Sequence, residues 1–176
     1  MDVMSHKSTS VEEFFDWVVH QEGRFELVNG EVRMMTGARR QHNIVKDNVA
    51  FALHTAARHR GCSTTTSDTG IRTGEQTVRY PDVVVDCGPS KPDDMLASAP
   101  SVLIEVSSPG TRNIDVVVNL GEYQALRSVE IIMQVEPDVA LVTVYRRSTN
   151  GWLFERYDSL DSTIDLPMLE TTLSLR

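Results

Sequence analysis

The stretch RYPDVVVDC, residues 79–87, decides the reading of the fold. Val83, Val84 and Val85 are consecutive and β-branched, the mark of a strand buried on both faces. Pro81 stands just before them, where a residue without an N–H costs the hydrogen-bond ladder nothing. Asp82 therefore lies where a buried strand emerges. Two readings are open at this point: Asp82 ends the strand and meets water, or it is one ligand of a metal ion.

A second acidic residue sits in the same kind of setting. In SVLIEVSS, residues 101–108, Glu105 interrupts an otherwise apolar strand near its end. Two unpaired carboxylates in core strands are costly, and side by side they repel and raise each other's pKa. A divalent cation removes both problems, because it brings positive charge and prefers oxygen ligands. The plainer alternative is that each carboxylate meets solvent or an arginine.

The rest of the chain sorts around these strands. Ser10 and Glu13 form a capping-box pair, and VEEFFDWVVHQ (11–21) places Val11, Phe14, Phe15 and Val18 at helical spacing. RFELVNGEVRMM (24–35) is a hairpin turned at Asn29-Gly30. A long helix is expected from about Gln41 to Arg60, with Val45, Val49, Leu53 and Ala56 as its buried stripe and Gly61 as its stop. Short strands follow near 63–66, 70–73 and 82–87, with DTGIRTGEQT (68–77) as a hairpin. After Glu105 a helix is expected from Thr111 or Asn113 to about Leu126, then the strands VEIIMQVE (129–136), VALVTVYRR (139–147) and WLFERYD (152–158). One more short strand is expected beyond Ser162, and Trp17, Phe14 and Phe15 are assigned to the core. The order predicts an α/β fold, a mixed sheet flanked by helices, with a flexible tail over residues 1–9 and one domain over 10–176.

Composition narrows the function. A net charge of -8 argues against a protein that coats nucleic acid non-specifically, although a local basic face is compatible with it. No apolar run is long enough to span a membrane, and MDVMSHKSTS lacks the features of a signal peptide, so a cytoplasmic location is expected. Cys62 and Cys87 are then expected as small reduced core residues. The chain holds 14 Arg and only three Lys.

A carboxylate after proline on one strand, and a glutamate about twenty residues later on the next, resembles the PD-(D/E)XK nuclease superfamily. The segments RFELVNGEV, RRQHNIVKDNVAFAL, RYPDVVVD, VLIEVSSPGT and NIDVVVNLGEYQAL, in that order, are similar to its Uma-type branch of restriction-endonuclease-like proteins. The resemblance implies an αβββαβ restriction-endonuclease-like core and Mg²⁺- or Mn²⁺-dependent hydrolysis of a DNA phosphodiester. It implies that Asp82 and Glu105 hold the metal, with the Val106 carbonyl as a third oxygen. Glu26 matches an acidic position that would orient water or help with a second metal; read alone, it is an exposed hairpin residue. A homodimer is compatible with cutting both DNA strands.

One residue departs from the pattern. The superfamily's lysine, usually two residues after the glutamate, is Ser107 here. In the branch this chain resembles, it has moved to the following helix, at the place of Asn119, four residues after Asp115 and four before Tyr123. Asparagine can orient water but carries no charge. Lys46 and Arg112 are candidate substitutes, and without one the chain would be an inactive relative that binds DNA or a protein. Arg39, Arg40, His42, Lys46 and Arg112 are the candidate nucleic-acid contacts, against the alternative of a solvated helix face.

Overall fold

Asn29 and Gly30 adopt positive φ values of 50° and 80°, the conformation a tight two-residue hairpin needs, and they join β1 (Phe25–Val28) to β2 (Glu31–Met34). This computed structural model describes residues 8–108 and 115–176. Helix α1 (Val11–Val18) precedes the hairpin and carries the expected capping box, with the Ser10 side chain accepting from the Glu13 N–H. Helix α2 (Arg40–His59) follows, and Gly61, at φ 74°, ends it.

The chain continues through β3 (Ser63–Thr66), β4 (Ile71–Gly74), β5 (Thr77–Arg79), β6 (Val83–Asp86) and β7 (Pro100–Val106). After α3 (Asp115–Ala125) come β8 (Ile131–Glu136), β9 (Leu141–Ser148), β10 (Gly151–Tyr157), β11 (Thr163–Leu166) and β12 (Thr171–Ser174). The main sheet has the order β10-β9-β8-β7-β6-β3, and its one parallel pairing, β7 with β8, spans the α3 crossover. A smaller sheet, β2-β1-β5-β4, carries α1. The outcome is a mixed α/β fold of sheets flanked by helices.

Alternation along the central strands explains the layers. Val83, Val85, Val102, Ile104 and Met133 face one way, against Leu53 and Ala57 of α2 and the β11–β12 hairpin. Val84, Leu103 and Ile132 face the other, against Tyr123 of α3 and Ile71 of β4. Arg147 fastens the C-terminal end of α3: its guanidinium donates to the carbonyls of Val129, Gln124 and Leu126 and stacks 4.5 Å above the Trp152 ring. No described helix is long and apolar enough to cross a membrane.

Several expectations are corrected. The 68–77 hairpin forms as expected, from β4 and β5, but β5 also pairs with β1 and so joins two distant hairpins into one sheet. The C-terminal segment makes two strands, β11 and β12, paired with each other. Trp17 is 39% exposed, its ring edge-on to Phe25 at 4.8 Å, because the eight-residue α1 buries Val11 and Phe14 and leaves Trp17 on its flank. The 1–9 tail lies mostly, and the helix cap at Thr111 or Asn113 wholly, outside the described residues.

Cys62 and Cys87 are not reduced: they form a disulfide, with Cα atoms 4.1 Å apart. Pairing of β3 with β6 places Ser63 opposite Asp86, so the next residues outward are these two cysteines. Linear spacing gave no sign of that register. The bridge closes a separation of 25 residues, for which chain entropy gives a stabilisation of about 3.5 kcal/mol. The Cys62→Ser, Cys87→Ser variant should therefore melt roughly 6–12 °C below the oxidised parent. An unchanged midpoint in oxidised protein would remove the bridge from the account.

Candidate active site

Ladder pairing of β6 with β7 ends at Val83↔Ile104, and just beyond it the Asp82 backbone donates a hydrogen bond to the Glu105 carboxyl. The two side chains line one cavity, close enough for the Asp82 charge to act on Glu105. The Val106 N–H donates to Asp82 Oδ2 at 2.8 Å, so this edge of Val106 points toward β6. Its carbonyl shares that edge, and Pro81 has no N–H to offer it.

Asp82 is further fixed by α2. His42 Nε2 lies 3.1 Å from the same Oδ2, and the His42 side chain is buried. His42 Nδ1 is buried without a hydrogen-bond partner among the described residues. Asp82 Oδ1 receives no hydrogen bond from the described residues.

Glu105 accepts a 2.7 Å hydrogen bond from the Tyr123 hydroxyl. Burial, and then the Asp82 charge, push its pKa up to about 8; hydrogen bonds from Tyr123 and the Asp82 backbone oppose this only in part. Burial and the same carboxylate raise Tyr123 well above the ordinary phenol value. Tyr123→Phe removes one donor to the charged form, so the Glu105 carboxyl should titrate still higher, read by ¹³C NMR of the labelled side chain. A downward or absent displacement would contradict the hydrogen bond.

Arg79, on β5, is 4% exposed. Its Nε and Nη2 grip both oxygens of Glu122 at 2.9 and 2.8 Å, and Nη1 reaches Glu26 at 3.0 Å. Burial alone would lower the Arg79 pKa, but hydrogen bonds and charges from the two glutamates outweigh it and keep the guanidinium charged. Burial would raise Glu122, yet hydrogen bonds from Arg79 and Thr73 hold it below the usual carboxylate range.

A cavity of about 320 Å³ gathers Glu26, His42, Arg79, Asp82, Glu105 and Asn119 on its walls, with Val106 and Tyr123. Four residues singled out from the sequence as catalytic, Asp82, Glu105, Glu26 and Asn119, share this space. Glu26 is half-buried and ion-paired, unlike the exposed hairpin residue its sequence alone suggests. Asn119 Oδ1 is buried without a partner among the described residues.

The remaining candidates are spread out. Arg39 pairs with Asp138 at 2.8 Å, and Arg40 is exposed at the start of α2. Lys46 donates to Ser67 Oγ at 3.2 Å and is absent from the cavity wall. Arg112 lies outside the described residues. Sequence reasoning missed Arg79 and Glu122. The available signal was an arginine between apolar residues in TVRYP, where a strand buries alternate positions.

The donor set can be tested against a divalent ion. Among the described residues no three His, Cys, Asp or Glu side chains converge as a ready cage. Asp82, Glu105 and Val106 do line one cavity, and Asp82 Oδ1 accepts no hydrogen bond from the described residues. One or two carboxylates with water completing the shell is the usual provision for Mg²⁺. The residues fit such an ion.

A mixed sheet flanked by helices, with two carboxylates on one cavity wall, fits a restriction-endonuclease-like architecture. The chain belongs to the Uma2 family, described as "Putative restriction endonuclease", whose model matches residues 11–176. In fold it is similar to a crystal structure from Anabaena variabilis described as a "putative nuclease belonging to DUF820", with 19% identity, a TM-score of 0.74 and 94% of each chain covered. No curated protein matches it.

Proposed function

We propose that this protein is a Mg²⁺- or Mn²⁺-dependent DNA endonuclease. The observation that supports this most is that Asp82 and Glu105 line one cavity within electrostatic reach of each other, with Asp82 Oδ1 free of hydrogen bonds from the described residues. Asp82, Glu105 and the Val106 carbonyl would hold the ion. When bound, the ion supplies Lewis acidity and an acidified water. His42 and the Val106 N–H fix the Asp82 carboxylate, and Tyr123 fixes Glu105, so neither ligand has to reorganise.

The reaction is hydrolysis: a water oxygen bonds to phosphorus, one P–O ester bond breaks, and the departing oxygen takes a proton. Arg40, with Arg39 and Lys46, would meet backbone phosphates near the start of α2. A homodimer would bring two such sites to the two strands of a duplex.

Asn119 favours a second reading, a non-catalytic relative that keeps the fold and binds DNA or a protein. Losing one charge-stabilising group costs a factor of roughly a hundred to several thousand in rate. Nicking of supercoiled plasmid in Mg²⁺ and then Mn²⁺ decides between the two. The endonuclease reading expects nicking by wild type and none by Asp82→Ala. Nicking by Asn119→Lys alone would support the second reading; nicking unaffected by Asp82→Ala would refute the assigned site.

A further inference from the structure

We infer that Arg79 is a phosphate-contacting residue of this cavity, and that Glu26 masks it in the free protein. The inference rests on the nuclease reading and assigns a residue that reading does not use. Two arginines, Arg24 and Arg79, line the cavity together with His42. Arg24 is engaged by Asp68 at 3.1 Å and by the Ser67 carbonyl, and His42 by Asp82 at 3.1 Å. Arg79 differs in how its donors are divided. Glu122, which is not on the cavity wall, takes Nε and Nη2, whereas Nη1 meets Glu26, which is.

The two contacts are unequal. Glu122 is bidentate, receives a further bond from Thr73 at 2.7 Å, and anchors the arginine to α3. Glu26 makes a single contact from the short strand β1. An entering phosphodiester oxygen can replace Glu26 on Nη1 while Glu122 keeps the guanidinium in place. The Arg79–Glu26 pair is close enough to the metal-side carboxylates for Glu26 to act electrostatically on Glu105, and Arg79 on Tyr123. A positive charge at this wall would do part of what a charged residue at position 119 would do. No bond to the arginine forms or breaks; the contact is a charge-assisted hydrogen bond from Nη1–H to a non-bridging phosphate oxygen.

The test measures anisotropy of a labelled 20-base-pair duplex (length about two helical turns) in EDTA at low salt, with folding of each variant checked by circular dichroism. Glu26→Gln removes the mask but leaves the Glu122 anchor, so affinity should rise about tenfold. Glu31→Gln, which removes the same charge from an exposed position on the same hairpin, should change affinity less than about twofold. Arg79→Lys keeps a charge but loses the fork, and should bind more weakly than wild type. Equal tightening by Glu26→Gln and Glu31→Gln, or no tightening by Glu26→Gln, overturns the inference while wild-type binding and nicking leave the nuclease reading standing. Absence of both binding and nicking in wild type overturns both.

Discussion

Glu105→Gln is expected to lower Mg²⁺-dependent nicking by at least about 10³-fold while making the metal-free protein more stable at pH 8. The two effects share one cause. A carboxylate facing Asp82 in a half-buried position is a good ligand and a poor neighbour. In the unfolded chain Glu105 loses its proton near 4.5; in the folded protein it keeps it to about 8. Between these values the folded state binds the extra proton, so stability falls as pH rises through that window, and the loss is complete above about 8. For a shift of this size the change is on the order of a few kcal/mol. Thermal melts in EDTA from pH 5 to 9 should show wild type declining and Glu105→Gln nearly flat. Adding Mg²⁺ at pH 8 should restore wild type and leave the variant unmoved. A variant that is less stable than wild type at every pH would mean that Glu105 is held by partners other than those described.

The second large effect belongs to Arg79. Arg79→Met should cost about 3–5 kcal/mol, because it leaves Glu26 and Glu122 partly buried and facing each other without a cation. Removing one partner of a buried ion network differs from replacing the whole of it. The triple variant Arg79→Met, Glu26→Gln, Glu122→Gln should therefore recover much of the loss. Urea midpoints measure both. If Arg79→Met shifts the midpoint by less than about 1 kcal/mol, the arginine is not the pin that joins β5, β1 and α3.

Residue by residue, the sequence was most legible where a local rule decides the outcome. Asn29-Gly30 specified its turn, Ser10 and Glu13 their capping box, and Gly61 the end of α2. The valine run and SVLIEVS read correctly as buried strands, and their two acids line one cavity. Legibility failed where a partner is set by tertiary pairing. Cys62 and Cys87 meet because β3 and β6 are antiparallel in one register, and their spacing carries no trace of it. Glu26 read as a solvated hairpin position because its partner, Arg79, is 53 residues away on a strand that was not anticipated. Trp17 was assigned inward by hydrophobicity, but α1 has only eight residues and one buried stripe. His42 stood among the candidate phosphate contacts at the start of α2; its contact with Asp82, 40 residues on, is set by tertiary packing that the sequence does not display.

Asp82 and Glu105 are proposed to hold one divalent ion at the cavity wall, and crystals soaked in Mn²⁺, measured at a wavelength where manganese scatters anomalously, would locate it. One strong peak is expected within ligand distance of Asp82 Oδ1, a Glu105 oxygen and the Val106 carbonyl, lost in Asp82→Ala. A peak elsewhere in the cavity, or none at Mn²⁺ concentrations that support nicking, would contradict it.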